Sequence, residues 1–259
     1  MSGHALLDFA REDPEEALRN QRSRPCRPLY SAAMIRLLLI SSSVVHGHGF
    51  LDHSEAAMRK RLAGVRRVAF VPFAQRDHAK YTGLVRDRLA LMDLDVSQVH
   101  GRTEIENAEA VFIGGGNTFR LLRELCARDL MGVIRERVNG GMPYIGSSAG
   151  SNVATPSICT TNDMPIVFPP TFEALKLVPF QINPHYLDPD PSSTHKGETR
   201  EERLREFHEE NDTPVVGLRE GSMLWVDGNE VTLLGEKTAR IFRRGLEPIE
   251  AGPGILQIG

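Results

Sequence analysis

The pentapeptide Gly146-Ser147-Ser148-Ala149-Gly150 matches the pattern G-x-S-x-G and is the sharpest chemical feature of the chain. It follows the apolar run 142–145 and precedes a predicted helix. In such a turn the glycines let the chain bend sharply, which exposes the central serine hydroxyl at the end of a strand. The pattern predicts Ser148 as a nucleophile and the N–H of Ala149 as a donor to the oxyanion formed in acyl transfer. A plain Gly/Ser turn between strand and helix would look the same.

A serine nucleophile needs a base, and three histidines follow it in the chain. His185 ends an apolar run, so a strand would bring it to the same sheet edge as Ser148. His195 lies in a polar loop and His208 among the glutamates of a charged helix, so both are predicted to be solvated. His185 is the favoured base, although a core histidine bonded to backbone would fit equally well.

For a carboxylate that orients the base, Asp163 is the first candidate. Pro165 and Ile166 follow it, which is typical of a rigid loop that re-enters apolar surroundings. Asp188 and Glu198 are alternatives, and Asp163 could instead cap a turn.

The run Gly114-Gly115-Gly116 follows a predicted strand and opens a predicted helix, so its backbone N–H groups converge on the strand end. It lacks the Lys-Ser/Thr of a phosphate loop and the G-x-G-x-x-G spacing of a dinucleotide fold. We therefore favour Gly116 as a second oxyanion donor over a nucleotide site.

These residues need a scaffold, and the chain alternates strand-length apolar runs with helical patterns from residue 34 to about 155. This alternation predicts an α/β fold with a mostly parallel central sheet flanked by helices, of the flavodoxin-like class. Active sites of that class lie at the carboxyl ends of strands. Short strand patterns after residue 213 predict a small antiparallel C-terminal extension.

Composition fits an ordinary globular protein, with 41% hydrophobic and 25% charged residues among 259 and a net charge of -3. It favours no nucleic acid or membrane partner. Cys26, Cys126 and Cys159 lack zinc-ligand spacing, which fits a reducing cytoplasm. Residues 1–33 are polar and are expected to be a poorly ordered extension before a single domain of residues 34–259.

The segments GGGNTFRLL, PYIGSSAGSN, TTNDMPIV, PFQINPHY and HKGETREERLREF occur in this order and together resemble the peptidase E family of aspartyl dipeptidases. The resemblance implies a fold related to class I glutamine amidotransferases and no metal or organic cofactor. It implies a catalytic triad of Ser148, Asp163 and His185, with Gly116 and Ala149 as oxyanion donors. Ser147 stands where some family members carry tryptophan.

The resemblance also implies that Arg200 binds the β-carboxylate of the substrate. Thr199 and Glu202 form a T-x-x-E capping box, which would place Arg200 in the first turn of a helix. A cation there opposes the helix dipole by roughly 0.3 to 1 kcal/mol, so another interaction is expected to retain it.

The implied function is a cytoplasmic serine peptidase, monomeric or homodimeric, that cleaves Asp-X dipeptides through an acyl-enzyme. A related hydrolase acting on cyanophycin or isoaspartyl peptides is the nearest alternative, and a catalytically silent binder of acidic ligands is another. An α/β-hydrolase esterase shares the order Ser, Asp, His, but its usual helical cap and larger size are missing.

Overall fold

The computed structural model describes residues 35–189, 192, 194 and 197–258. The predictions for residues 1–33, Cys26 and His195 lie outside this part of the chain. Within it, no helix is both long enough and apolar enough to cross a membrane.

Five parallel strands form the centre of the larger sheet. Their order across the sheet is β1, β5, β4, β2, β3, and each neighbouring pair is parallel. Alternate residues of each strand enter apolar clusters on opposite faces, as Leu37 and Leu38 do on β1. The predicted α/β class with a mostly parallel sheet is confirmed. The strands are β1 (Arg36–Ile40), β2 (Arg67–Val71), β3 (Asp95–Gln98), β4 (Ala110–Ile113) and β5 (Tyr144–Ser147).

Helices cover the sheet where the sequence predicts helical patterns, and two of them start at recognisable caps. The Asp77 side chain accepts a hydrogen bond from the Lys80 N–H, and the Asn117 side chain accepts one from the Arg120 N–H. The α-helices are α1 (Glu55–Arg61), α2 (His78–Ala90), α3 (Arg102–Asn107), α4 (Thr118–Ala127), α5 (Met131–Asn139), α6 (Ala149–Asn152) and α7 (Arg200–Glu210).

The C-terminal strands divide between two sheets, which differs from the predicted single antiparallel extension. β8, β9 and β12 extend the larger sheet through the antiparallel pair β8–β1, while β7, β10 and β11 join β6 in a four-stranded sheet. Without β8, strand β1 would be an edge with unpaired backbone groups. These strands are β6 (Gln181–Pro184), β7 (Val215–Leu218), β8 (Met223–Asp227), β9 (Glu230–Leu234), β10 (Ala239–Phe242), β11 (Ile249–Ala251) and β12 (Gly254–Ile255).

The buried side chain of Ser41, at the end of β1, joins the two sheets. Its hydroxyl donates to the carbonyl oxygen of Leu218 at 2.7 Å and accepts from the N–H of His185 at 2.9 Å. The carboxyl ends of β1, β5, β6 and β7 are thereby brought to one place, where Ser148 and His185 lie.

Candidate active site

Ser148 lies on a sharp turn between β5 and α6. Its backbone has φ 53° and ψ -110°, a conformation unusual for a residue with a side chain. Its N–H donates to the carbonyl oxygen of Ile40 at 2.9 Å. A Cβ on Gly150 would overlap the carbonyl oxygen of Ile113, so only glycine permits this approach of α6 to β4. The turn has the form expected of a nucleophile elbow.

His185 follows β6 and reaches the Ser148 hydroxyl. The distance from His185 Nε2 to Ser148 Oγ is 2.8 Å, which is within hydrogen-bond range. The histidine backbone has φ 53° and is anchored through its N–H to Ser41. The pair therefore has the geometry for proton transfer from serine to imidazole.

The carboxylate that contacts the other ring nitrogen of His185 is Glu220, with 2.7 Å from Nδ1 to Oε1. Asp163 was predicted for this position from the sequence, and the structure corrects that assignment. The Oδ2 atom of Asp163 instead accepts hydrogen bonds from the N–H and hydroxyl of Thr118, at 2.7 and 2.6 Å, and from the hydroxyl of Thr161 at 3.2 Å. Its carboxylate is held at the start of α4, because that helix end has unpaired N–H groups.

The two alternative carboxylates are also engaged elsewhere. Asp188 forms a bidentate ion pair with Arg219, with N···O distances of 2.6 and 2.8 Å. Glu198 lies 3.5 Å from Arg203.

Sequence reasoning missed Glu220, although a signal was present. The residue comes two positions after the apolar segment of β7 and precedes a glycine, so it also lies at the carboxyl end of a strand. The parallel register pairs Pro184 with Leu218, which brings the residues that follow each strand together.

His208 and Ser147 are both buried. The prediction that His208 is solvated is wrong: the side chain is buried and its Nδ1 lies 3.0 Å from the carbonyl oxygen of Asn211. Ser147, the neighbour of Ser148, is fully buried at the end of β5.

Two backbone N–H groups beside Ser148 donate no hydrogen bond within the described part of the chain, those of Gly116 and Ala149. In the glycine run, the N–H of Gly114 donates to Val71 and that of Gly115 to the Tyr81 hydroxyl at 2.9 Å. Burial raises the pKa of Tyr81 to about 12, so this hydroxyl stays neutral. The free N–H groups belong to the two residues that the sequence indicates as oxyanion donors.

Arg200 occupies the first turn of α7, as the capping box predicts. Thr199 Oγ1 accepts from the Glu202 N–H at 3.1 Å, and Glu202 Oε2 accepts from the Thr199 N–H at 2.6 Å. Burial lowers the pKa of Arg200, while the negative charge of Asp163 acts in the opposite direction. Arg200 is half-buried and forms no ion pair within residues 35–189, 192, 194 and 197–258.

The chain was compared with known protein families, and the sequence model of Peptidase family S51 matches residues 37–234. The chain belongs to peptidase family S51. A relative from Streptomyces coelicolor named Peptidase E is 56% identical over 224 residues, which cover 85% of this chain and 92% of the relative. A Drosophila melanogaster relative named "Probable alpha-aspartyl dipeptidase" is 52% identical over 219 residues, or 82% of this chain and 91% of the relative.

A solved structure from Listeria monocytogenes EGD-e has the same fold, with a TM-score of 0.62 at 23% identity. The match covers 78% of this chain and 99% of that one. The further relation to glutamine amidotransferases stays a prediction.

In this S51 peptidase, Ser148, His185 and Asp163 line one open cavity of about 820 Å³. Its wall on the α2 side carries the cations Arg76 and Lys80. The volume is within the usual range for small-ligand sites, which is roughly 300 to 1,000 Å³. No group of three or more His, Cys, Asp or Glu side chains suited to a metal ion occurs in the described segments.

Proposed function

We propose that this S51 peptidase hydrolyses dipeptides with N-terminal aspartate, through an acyl-enzyme on Ser148. The observation that carries the proposal is the hydrogen-bonded chain from Ser148 Oγ through the His185 ring to Glu220. A serine linked to a base whose second nitrogen is held by a carboxylate is the arrangement that activates hydroxyl nucleophiles. The names of the Streptomyces and Drosophila relatives support the dipeptidase activity and the aspartyl preference.

In this mechanism, His185 Nε2 takes the hydroxyl proton as Ser148 Oγ attacks the carbonyl carbon of the substrate aspartate. Glu220 keeps the proton on Nδ1 and stabilises the imidazolium that forms. The N–H groups of Gly116 and Ala149 donate to the oxyanion. His185 then protonates the leaving amine, and the C–N bond breaks. A water molecule deprotonated by His185 attacks the acyl-enzyme and releases aspartate.

We assign the β-carboxylate of the substrate to Arg200. A guanidinium can bind a carboxylate through two parallel N–H donors, and this one is half-buried without a carboxylate partner among the described residues. The hydrogen-bonded cap at Thr199 fixes the backbone from which it projects.

The proposal includes a cytoplasmic location and a monomer or homodimer acting on small acidic peptides. The location is supported by the thiols of Cys126 and Cys159, which are both free.

The first experiment incubates the purified protein with Asp-Leu, Glu-Leu, Leu-Leu and β-Asp-Leu and measures the released amino acids. We expect cleavage of Asp-Leu alone. Ser148→Ala should lower its rate by at least about 10³-fold, because the nucleophile is removed. The matched control is Ser97→Ala, the same change at an exposed position of β3, which should retain wild-type activity.

Other cleavage patterns would favour a different substrate or function. Cleavage of β-Asp-Leu instead would favour an isoaspartyl substrate, and cleavage of cyanophycin products alone would favour the related hydrolase. No cleavage of any substrate would favour a silent binder, and full activity of Ser148→Ala would refute the acyl-enzyme.

A further inference from the structure

The cavity at Ser148 has two cations that the proposed chemistry does not use, Arg76 and Lys80. Both residues are exposed and line the cavity together with His185. Neither side chain forms an ion pair or a hydrogen bond with a residue that the structure describes. The carboxylate between them, Asp77, is engaged in capping α2, where its Oδ1 accepts the Lys80 N–H at 3.0 Å. Two positive charges are therefore available to a ligand in this cavity.

The backbone that carries both cations is anchored to the glycine run beside the nucleophile. The Gln75 side chain donates from Nε2 to the carbonyl oxygen of Gly115 at 3.2 Å, and the Tyr81 hydroxyl accepts from the Gly115 N–H at 2.9 Å. A Cβ on Gly116 would lie 2.6 Å from the carbonyl oxygen of Ala74, so the two segments pack in direct contact. A backbone fixed in this way lowers the entropy that the two side chains lose on binding a ligand.

The part of the cavity beside α2 also carries apolar side chains. Val44, Phe50 and Leu84 line it, and Val44 and Leu84 are 57% and 47% exposed. The Phe50 ring makes an edge-on contact with the Tyr81 ring, with 6.4 Å between centroids. Leu84 follows Lys80 by one helical turn, so the two residues share a face of α2. Apolar surface and positive charge thus lie side by side, and an apolar ligand group would release water from this surface.

The second residue of an Asp-X dipeptide matches this combination. Arg200, at the start of α7, is assigned to the acyl part of the substrate, whereas Arg76 and Lys80 lie around the start of α2. The leaving residue extends to the other side of the scissile bond, and its carboxylate carbon is two bonds from the leaving nitrogen. Guanidinium and ammonium groups bind such a carboxylate through charge-assisted hydrogen bonds.

We propose that Arg76 and Lys80 bind the C-terminal carboxylate of the substrate, while Val44, Phe50 and Leu84 contact the side chain of its second residue. This inference rests on the proposed function and adds the site for the leaving residue. It names the preferred substrates as Asp-X dipeptides in which X is apolar. In a longer peptide an uncharged amide replaces this carboxylate, so the same contacts favour dipeptides over longer chains.

The test compares two substrates that differ only in the terminal group, Asp-Leu and Asp-Leu-amide. We expect wild-type kcat/KM to favour Asp-Leu by about tenfold or more, the size of one favourable charge interaction. The double variant Arg76→Gln/Lys80→Gln removes both charges, so that neither cation can replace the other. Its kcat/KM for Asp-Leu should fall by a similar factor, while the value for Asp-Leu-amide should stay within about threefold.

The matched control is Lys60→Gln/Arg66→Gln, which removes the same two charges from exposed residues outside the cavity. It should leave the ratio between the two substrates unchanged, because solvent screens distant charges. A ratio that falls equally in both double variants would overturn the carboxylate site, since the loss would then follow net charge. An equal loss on both substrates in Arg76→Gln/Lys80→Gln would overturn it as well.

The apolar contact is tested by the preference for Asp-Leu over Asp-Gly, which we expect to be about fivefold or more in the wild type. Leu84→Ala should lower this ratio at least about twofold. Its control is Leu91→Ala, because Leu91 is an exposed leucine at the end of the same helix and does not line the cavity. An unchanged ratio in Leu84→Ala, or no preference in the wild type, would overturn the apolar contact.

Failure of this inference differs from failure of the proposed function. Equal cleavage of Asp-Leu and Asp-Leu-amide by the wild type would overturn the carboxylate site and leave the peptidase intact. Inactivity on both, and on Asp-p-nitroanilide, would overturn the proposed function and this inference with it.

Discussion

Two carboxylates near Ser148 contact different groups. Glu220 contacts the imidazole Nδ1 of His185, while Asp163 contacts the first N–H of helix α4. A carboxylate on Nδ1 fixes the tautomer that leaves Nε2 free to accept a proton. Glu220 is also about half exposed, so solvent shares in stabilising its charge.

At the residue scale, Glu220→Gln tests this division. The amide retains the shape but loses the charge that stabilises the imidazolium, so kcat for Asp-Leu should fall by roughly 10² to 10⁴-fold with little change in KM. Steady-state kinetics measures both constants.

The matched control is Glu236→Gln, which removes the same charge from an exposed residue. Glu236 lies near Glu220, because its neighbour Gly235 packs against Gly221, the residue after Glu220. It should leave kcat within about twofold, since its charge is screened by solvent. A loss in Glu220→Gln no larger than in this control would show that Glu220 does not orient His185.

Helix α7 positions Arg200 through its first turn, so the prediction at the element scale concerns its cap. Thr199→Ala removes the acceptor for the Glu202 N–H and should lower the free energy of unfolding by about 1 kcal/mol. Because the turn that carries Arg200 loosens, KM for Asp-Leu should rise while kcat changes less. Urea unfolding and steady-state kinetics measure these effects.

Thr171→Ala serves as the control, because Thr171 also accepts one backbone N–H, that of Glu173, in an exposed loop. It should leave KM unchanged. An unaltered KM in Thr199→Ala as well would mean that the cap does not position Arg200.

At the scale of the whole molecule, an ion-pair network holds the four-stranded sheet and its surroundings. Arg219 binds Asp188 and Glu250, and Arg240 binds Glu250 and Glu201. This ion-pair network connects β10, β11 and α7 with the two segments that follow His185 and β7. Since Arg219 precedes Glu220, the network also anchors the carboxylate that contacts His185.

This network predicts a pH dependence of stability. The hydrogen bond from Arg219 lowers the pKa of Glu250 from 4.5 to about 2, with further bonds from Thr238 and Arg240. A depressed folded-state pKa stabilises the protein above the unfolded value, and this contribution is lost as pH falls from about 4.5 towards 2. Glu250→Gln should therefore lower the free energy of unfolding at pH 7 by on the order of 1 kcal/mol, because the pairs are partly exposed.

Urea unfolding of wild type and Glu250→Gln at pH 7 and pH 3 gives the measurement, and the difference between them should shrink at pH 3. Glu247→Gln is the control, because Glu247 has one exposed ion pair, with Arg205. Its effect at pH 7 should be clearly smaller than that of Glu250→Gln, because solvent screens an exposed pair. An equal difference at both pH values for Glu250→Gln would contradict the role of its ionised form.

The sequence by itself determined the parts of the site that depend on local chain geometry. The turn at Ser148, the strand end at His185 and the capping box before Arg200 each involve residues a few positions apart, and the structure has all three. The alternating apolar runs likewise predicted the parallel sheet, because the period of apolar residues follows from secondary structure.

Tertiary structure alone decided which distant groups meet. Glu220 reaches His185, 35 positions earlier in the chain, through the register of the parallel strands β6 and β7, and no local pattern records that register. For the same reason the sequence could not show that Asp163 is held at the start of α4 by Thr118, a residue 45 positions earlier in the chain. Nor could it show that His208 is buried. Local propensity selects the elements, whereas packing and strand pairing select their partners, and the choice of the carboxylate that contacts His185 depends on strand pairing.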